Sequence, residues 1–494
     1  MSTNWLTSRS SLKHIKACEV HTVMTISAAT HTGVPDAVDI LVKGCDAVTM
    51  DKGGAVLANA AIAIAGGRIV WIGPSAEAGI LPKAASVIDG SSRIALPGLI
   101  DAHVHTAQQL LRGKLAELSR SRPLRNPPWK NYFVPFESLL EPEDVHLSGL
   151  VAYTNMISVG TTCFAEAGGP HPDEMARAAV DVGIRGFVAL STVDQNTGFA
   201  GRTVPGSMLM TTEQAYDRNV SLVKRWRKED RVKAWLSLRQ IIVCTPELIT
   251  AMASAAKDLD VKIHTHLAEG TYEVDYALEN FGKRPTEYLD DLGVLSRHLH
   301  CAHSVLLSPD EVDLYAKNRV SACHCAFGNY GIGIPRLQEM WRRGIDIGLG
   351  TDGAASAGTL DMFQVAHVAR VGQQASIGHQ FHTRIPMSAE ELLKVATQGG
   401  ARALGIEDEI GSLEVGKRAD LILVDVTDAD QMGAKDPLFI ASTVSVGRDV
   451  RTVIVDGKLV MKDREILTVD MEEIQHRLAR RRPEIMARFD ALVA

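Results

Sequence analysis

From residue 38 onward the chain alternates short apolar runs with polar breaks, in two rhythms. Near the start, "DILVKGCDAVTM", "AAIAIAGGRIVWIG" and "SRIALPGLI" are β-like runs separated by Gly, Asp and Ser, which predicts strands of a small sheet. A matching set, "GSLEVGKRADLILVDV" at 411–426 and "VRTVIVDGKLVMKDREIL" at 450–467, lies near the other end, the second turning as a hairpin across Asp456-Gly457. The two sets are expected to meet in one small β domain built from both chain ends.

Between them, apolar strands alternate with amphipathic helices, the signature of parallel βα units. Helix starts are marked by capping boxes: "SPDE" at 308–311 offers Ser308 as N-cap, Pro309 at the first helical position and Glu311 to close the box, and Ser388 with Glu391 repeats it. The strand runs are "LIDAHVH", "TTCFAEA", "GFVALSTV", "VKAWLSLRQII", "VKIHTHLAE", "LHCAHSVLL", "RVSACHCAF" and "IDIGLGTDG". Eight such runs in this length predict a (β/α)8 barrel of the α/β class. The expected organisation is an N-terminal extension (1–37), a first β-sandwich part (38–97), the catalytic barrel (98–405), a second β-sandwich part (406–467) and a C-terminal helix (468–494).

Composition narrows the partners. With 494 residues, 46% hydrophobic and 22% charged, and a net charge of −7, the chain has a large core and no basic stripe for nucleic acid or a membrane surface. A small-molecule substrate is the default partner. No apolar run reaches the roughly 18 residues of a membrane span. Arg9, Lys13 and Lys16 ahead of "VMTISAA" loosely imitate a secretion signal, but the apolar stretch is short and broken by threonines. Seven cysteines without disulfide spacing fit a reducing compartment, so the expected location is the cytoplasm.

The candidate chemistry starts in "PGLIDAHVHTAQQLLRG" (97–113). Residues i and i+2 of a strand share a face, so His103 and His105 leave the strand together and reach one point in space, as two metal ligands would. In a (β/α)8 barrel functional residues sit at the C-terminal ends of strands. There the sequence places His103 and His105, then His264 and His266 followed by Glu269, then His303, His324 and Asp352. This accumulation of His, Glu and Asp predicts a metal site.

"PGLIDAHVH", "HTHLAE", "AHSVLL", "GLGTDGAAS" and "GSLEVGKRADLILVD", in this order, resemble the amidohydrolase superfamily over residues 38–467. Within it they resemble the group of methylthioadenosine/S-adenosylhomocysteine deaminases, atrazine chlorohydrolase and the phenylurea and molinate hydrolases. The resemblance implies a metal-dependent barrel flanked by a composite β-sandwich. It also implies one divalent ion on His103, His105, His266 and Asp352. Three imidazoles and a carboxylate suit zinc first, with iron, cobalt and manganese as alternatives. Asp352 would take a proton from the attacking water, His303 would orient that water, and Glu269 would protonate the leaving nitrogen. Superfamily members with two metals bridge them by a carboxylated lysine on strand four; Lys233 stands at the beginning of that strand, which favours a single ion.

Two departures bear on substrate. Nucleoside deaminases of the group carry a Pro-His pair after strand four where this chain has Arg239 and Gln240, and the loop after His324 is short. The segment "RPLRNPPWKNYFVPFES" (122–138) brings Trp129, Tyr132, Phe133 and Phe136 as a rigid apolar lid. Trp129, Phe136, Arg239 and His324 are therefore the candidate substrate contacts. His264 is expected to support the ligand pair, and Cys323 and Cys325 to face the helices as structural thiols. The resulting expectation is hydrolysis of a non-peptide C–N bond, leaning to an apolar amide, urea or (thio)carbamate. The alternatives are a deaminase of an aminated heterocycle and, more remotely, a scaffold barrel without activity; a homo-oligomer would suit the superfamily.

Overall fold

The computed structural model describes residues 36–197 and 203–494. The signal-like stretch with Arg9, Lys13 and Lys16 lies outside the described residues.

The eight apolar runs become the strands of a (β/α)8 barrel. They are Leu99–Val104, Thr161–Glu166, Arg185–Val188, the pair Val232–Ala234 and Leu236–Leu238, then Ile263–Leu267, Leu299–His303, Ser321–His324 and Ile347–Leu349. Neighbours are parallel throughout. Strand four is interrupted at Trp235, whose N–H donates back to Val188 O (3.0 Å) while Leu236 N–H donates forward to Lys262 O (3.1 Å). The Trp235 ring stacks on Phe187 at 4.4 Å and meets His300 edge-on at 5.7 Å, filling the barrel interior below the site.

The last strand returns to the first through Asp101. Its carboxylate accepts Thr351 N–H (3.0 Å), Thr351 Oγ1 (2.6 Å) and His103 N–H (3.3 Å), and Asp352 N–H donates to His103 O at 2.9 Å. Burial pushes Asp101 up to about 7 against these bonds.

Helix starts follow the capping logic. Ser308 Oγ accepts Glu311 N–H (3.1 Å) and Glu311 Oε2 accepts Ser308 N–H (2.8 Å), opening Pro309–Asn318; Ser388 and Glu391 do the same for Ala389–Lys394.

A nine-stranded sheet takes strands from both chain ends. Leu421–Asp425 pairs antiparallel with Arg93–Pro97, which joins the late strands to the early ones. Val42, Ile62, Ile64, Leu421, Leu423 and Ile454 share its core. The hairpin between Val450–Val455 and Lys458–Lys462 turns at Asp456 (φ 52°) and Gly457 (φ 71°), the two positive values that a twisted two-residue turn requires. Arg185 on barrel strand three reaches this sheet, bonding Asp420 twice (2.7 and 3.1 Å) and Asp456 once (3.3 Å). The helix Met471–Val493 packs back on the barrel through Phe489. Among the described residues no helix is long and apolar enough to cross a membrane.

Candidate metal centre and active site

Four side chains from the ends of three barrel strands, the first, fifth and eighth, come together. His105 Nε2 lies 3.1 Å from His266 Nε2, and Asp352 Oδ1 lies 3.3 Å from His103 Nε2 and 3.7 Å from His105 Nε2. The ligand atoms of His103, His105 and His266 all fall within 4.8 Å of one another, as do those of His103, His303 and Asp352.

Hydrogen-bond partners assign the tautomers. The carbonyl of Glu166 only accepts, so His264 Nδ1 carries the proton of that 2.9 Å bond and His264 Nε2 is an acceptor. His103 Nδ1–H therefore donates to it at 2.9 Å, and His103 Nε2, buried with no hydrogen-bond partner, keeps its lone pair. His266 Nδ1–H donates to Arg239 O at 2.8 Å, which leaves its Nε2 bare as well. Burial first, then the neighbouring cations and imidazoles, holds His103, His105 and His266 well below the ordinary histidine range, so these rings are neutral. The bare Nε2 lone pairs of His103 and His266, with His105 Nε2 3.1 Å from His266 Nε2 and the Asp352 carboxylate beside them, are donors that a divalent cation would satisfy. The donor set fits such an ion.

The other groups surround this cluster. Ser356 Oγ holds Asp352 Oδ2 at 2.7 Å, which frees Oδ1 toward the imidazoles. Glu269 Oε1 faces His303 Nε2 at 4.0 Å. Burial opposes charge on His303, but Glu269, Cys325 and Asp352 outweigh it and push the ring well above its usual range. His303 (φ 69°) and Asp352 (φ 61°) both leave their strands with left-handed backbone, uncommon outside glycine and concentrated where a site demands a particular aim.

Asn329, on the helix Ala326–Ile332, was not singled out from the sequence. Its Oδ1 accepts His303 Nδ1–H at 3.1 Å, while its Nδ2 donates to His303 O (3.1 Å) and His324 Nδ1 (2.9 Å). Gln240, noted only as a departure, donates from Nε2 to Glu269 Oε2 at 3.2 Å.

A cavity of about 560 Å³ opens over the cluster. His105, His266, Glu269, His303, Asp352, Arg239 and Gln240 line its inner end, and Trp129, Phe133, Leu115, Leu124 and Ile332 its outer wall. Arg239 is committed to Glu137 (3.2 Å to each carboxylate oxygen), with its guanidinium 5.9 Å from the Trp129 ring.

Two candidate substrate contacts lie elsewhere. Phe136 is fully buried and packs edge-on against Phe489 at 5.7 Å, because its helical turn rests on the C-terminal helix. His324 faces Asn329 and Tyr330 and does not line the cavity. Strand register explains this: His266, Ala302, Cys323 and Gly348 form one inward row, so His324 turns outward. The same row corrects the thiols, since Cys323 and Cys325 pack inside the barrel, 4.0 Å apart, rather than against the helices. Lys233 bonds the carbonyls of Arg227 and Glu229 at the foot of strand four, remote from the site.

Residues 94–460 match the amidohydrolase family model. A 5-methylthioadenosine/S-adenosylhomocysteine deaminase of Moorella thermoacetica is 35% identical over 449 residues, covering 90% of this chain and 98% of that protein. A zinc-bound adenosine deaminase structure from Xanthomonas campestris superposes with a TM-score of 0.83 at 27% identity, covering 92% of this chain and 100% of that one. Atrazine chlorohydrolase from Arthrobacter aurescens TC1, complexed with zinc, shares the fold with a TM-score of 0.75 at 24% identity over 92% of this chain and 100% of that one. With its catalytic barrel matched almost throughout, the chain belongs to the amidohydrolase family and is a hydrolase acting on carbon–nitrogen bonds other than peptide bonds.

Proposed function

We propose that this hydrolase is a deaminase of an aminated N-heterocycle of the purine nucleoside kind, using one divalent ion, zinc in the first instance, on His103, His105, His266 and Asp352. The observation that carries the reading is a carboxyl group beside the donor cluster but outside it. Glu269 Oε1 faces the cavity 4.0 Å from His303, where a proton donor to a leaving nitrogen belongs. A bound divalent ion would lower the pKa of its water toward neutrality and so supply the nucleophile. Asp352 Oδ1 would accept the proton given up by the attacking water. Glu269 would carry a proton to the nitrogen side of the substrate, so that the C–N bond breaks, the new C–O bond remains and ammonia leaves. His303, held by Asn329, orients the reacting groups from the third side.

The sequence lean toward an amide, urea or carbamate rested partly on Arg239 and Gln240 standing where nucleoside deaminases have Pro-His. Arg239 is held by Glu137 and Gln240 by Glu269, but Arg239 Nη2 and Gln240 Oε1 are buried without a hydrogen-bond partner on residues that line the cavity, so both are free to bond a heterocycle bound there. Similarity along 90% of the chain to enzymes named as methylthioadenosine/S-adenosylhomocysteine deaminases supports the heterocycle. The test is an assay of metal-loaded protein against adenosine, its 5′-methylthio and S-homocysteinyl derivatives, an aminotriazine, a phenylurea and a carbamate. Ammonia released with the amino-to-oxo absorbance change is expected from the heterocycles. Substituted amine from the urea or carbamate, with no ammonia from any heterocycle, would return the reading to the amide class.

A further inference from the structure

The two oxygens of the Glu269 carboxyl are treated differently by their surroundings. Oε1 faces His303 and the cavity. Oε2 lies 2.5 Å from the phenol oxygen of Tyr272 and 3.2 Å from Gln240 Nε2. Tyr272 is the second residue of the helix Thr271–Phe281, and its ring folds back over Gly270. A Cβ on Gly270 would come within 2.6 Å of Tyr272 Cε1, so the missing side chain at 270 is what lets the ring lie there.

The direction of each bond follows from the groups involved. The indole N–H of Trp129 only donates, and it lies 3.1 Å from the Tyr272 oxygen, which must accept it. Gln240 Nε2, 3.3 Å from the same oxygen, is a second donor. A phenol has one proton, and its remaining acceptor neighbour here is Glu269 Oε2. Gln240 Nε2 also lies 3.3 Å from Glu273 Oε2, which in turn accepts Glu269 N–H at 2.9 Å, so acceptors surround the amide nitrogen and fix its orientation. Gln240 Nε2 has two hydrogens for three acceptor neighbours, so the 2.5 Å phenol bond is what marks Oε2 as an acceptor and leaves Oε1 the favoured seat of a carboxyl proton.

We propose that Tyr272 is a positioning residue that confines the exchangeable proton of Glu269 to Oε1 and ties that carboxyl to the apolar wall through Trp129. The proposal rests on the reading of Glu269 as the group that carries protons. Its consequence is that a protonated Glu269 always presents its O–H to the cavity. Without the phenol, the proton can sit on Oε2, turned away from substrate, and part of the population is unproductive.

Tyr272→Phe keeps the ring and removes the donor. In the metal-loaded full-length enzyme we expect kcat to fall about tenfold or more, KM to move less than about threefold and bound metal to stay unchanged, a loss of transition-state help rather than of binding. In a Glu269→Gln background the same change should cost nothing further, because the proton it controls is gone; a merely structural defect would multiply with the first. Near-full turnover of Glu269→Gln alone would instead overturn the reading of Glu269 itself. A measurement that needs no substrate accompanies these. The Trp129 indole N–H resonance, assigned as the one missing in Trp129→Phe, should move upfield and exchange faster with solvent in Tyr272→Phe. Retained kcat, multiplicative losses in the double variant, or an unmoved indole resonance each overturn the proposal.

Discussion

His264 donates no ligand to the cluster, yet its 2.9 Å bond to His103 decides which nitrogen of His103 faces Asp352. Because Glu166 O fixes the His264 proton on Nδ1, the chain of donors runs one way, from His103 to His264 to the backbone of strand two. Outer partners of this kind hold a ligand in the right tautomer and aim, and their loss typically costs about 10–100-fold in metal affinity. His264→Ala should therefore fold, bind its ion that much more weakly, and recover activity at raised metal concentration. Competition with a chromophoric chelator measures it; affinity equal to the parent would remove His264 from the site.

One ion per chain is expected at saturation. The donors form two groups that share His103, and Lys233, the strand-four lysine, is bonded to backbone carbonyls at the opposite end of its strand. Elemental analysis of protein purified with limiting chelator checks the stoichiometry. Lys233→Ala should leave both metal content and kcat unchanged within about twofold, whereas loss of one of two ions would establish a bridged pair.

Arg185 tests the attachment of sheet to barrel. Its guanidinium and Asp420 are both almost wholly buried, joined by two parallel hydrogen bonds. Removing one partner strands the other charge in a low-dielectric setting, a cost of about 3–5 kcal/mol, while replacing both with apolar groups is often close to neutral. Arg185→Ala should be clearly less stable in urea unfolding, and Arg185→Met with Asp420→Leu should recover much of the loss. Equal stability of parent and single variant would show the pair to be an ornament of the interface.

Periodicity carried the barrel and the convergence of the first and fifth strands, because an alternating histidine pair has the same face wherever its strand lies. It could not choose the phase of "CHC" at 323–325, since either His324 or the two thiols satisfy the alternation; the pairing of Ala302 with Cys323 settles it. His303 breaks the rule in another way. Counted from His300 it should turn outward, and its φ of 69° swings it back over the site, a local event that no periodic pattern records. Asn329 and Tyr272 escaped notice because they act from the helices that follow strands, where a single polar residue looks like any solvated helix face. Phe136 illustrates the converse: four aromatics in one segment read as a lid, but only contacts with the distant C-terminal helix reveal which of them turn away from the cavity.

The two carboxyl groups nearest the cluster should separate cleanly on substitution. Glu269 lies three residues beyond His266, after the strand has ended, and its oxygens contact Tyr272, Gln240 and the space beside His303 rather than the lone pairs of His103, His105 and His266. Glu269→Gln keeps shape and bonding capacity but loses the transferable proton, so metal should stay bound while kcat falls by about 10²–10⁴. Asp352 sits among the lone pairs, with Oδ1 toward His103 and His105 and Oδ2 held by Ser356. Asp352→Asn replaces an anionic donor with a neutral amide and removes the group that accepts the proton from water, so both metal affinity and turnover should drop. Metal content and turnover measured on the two variants in parallel distinguish the roles. A metal-free Glu269→Gln, or an Asp352→Asn that binds its ion as tightly as the parent, would exchange the assignments.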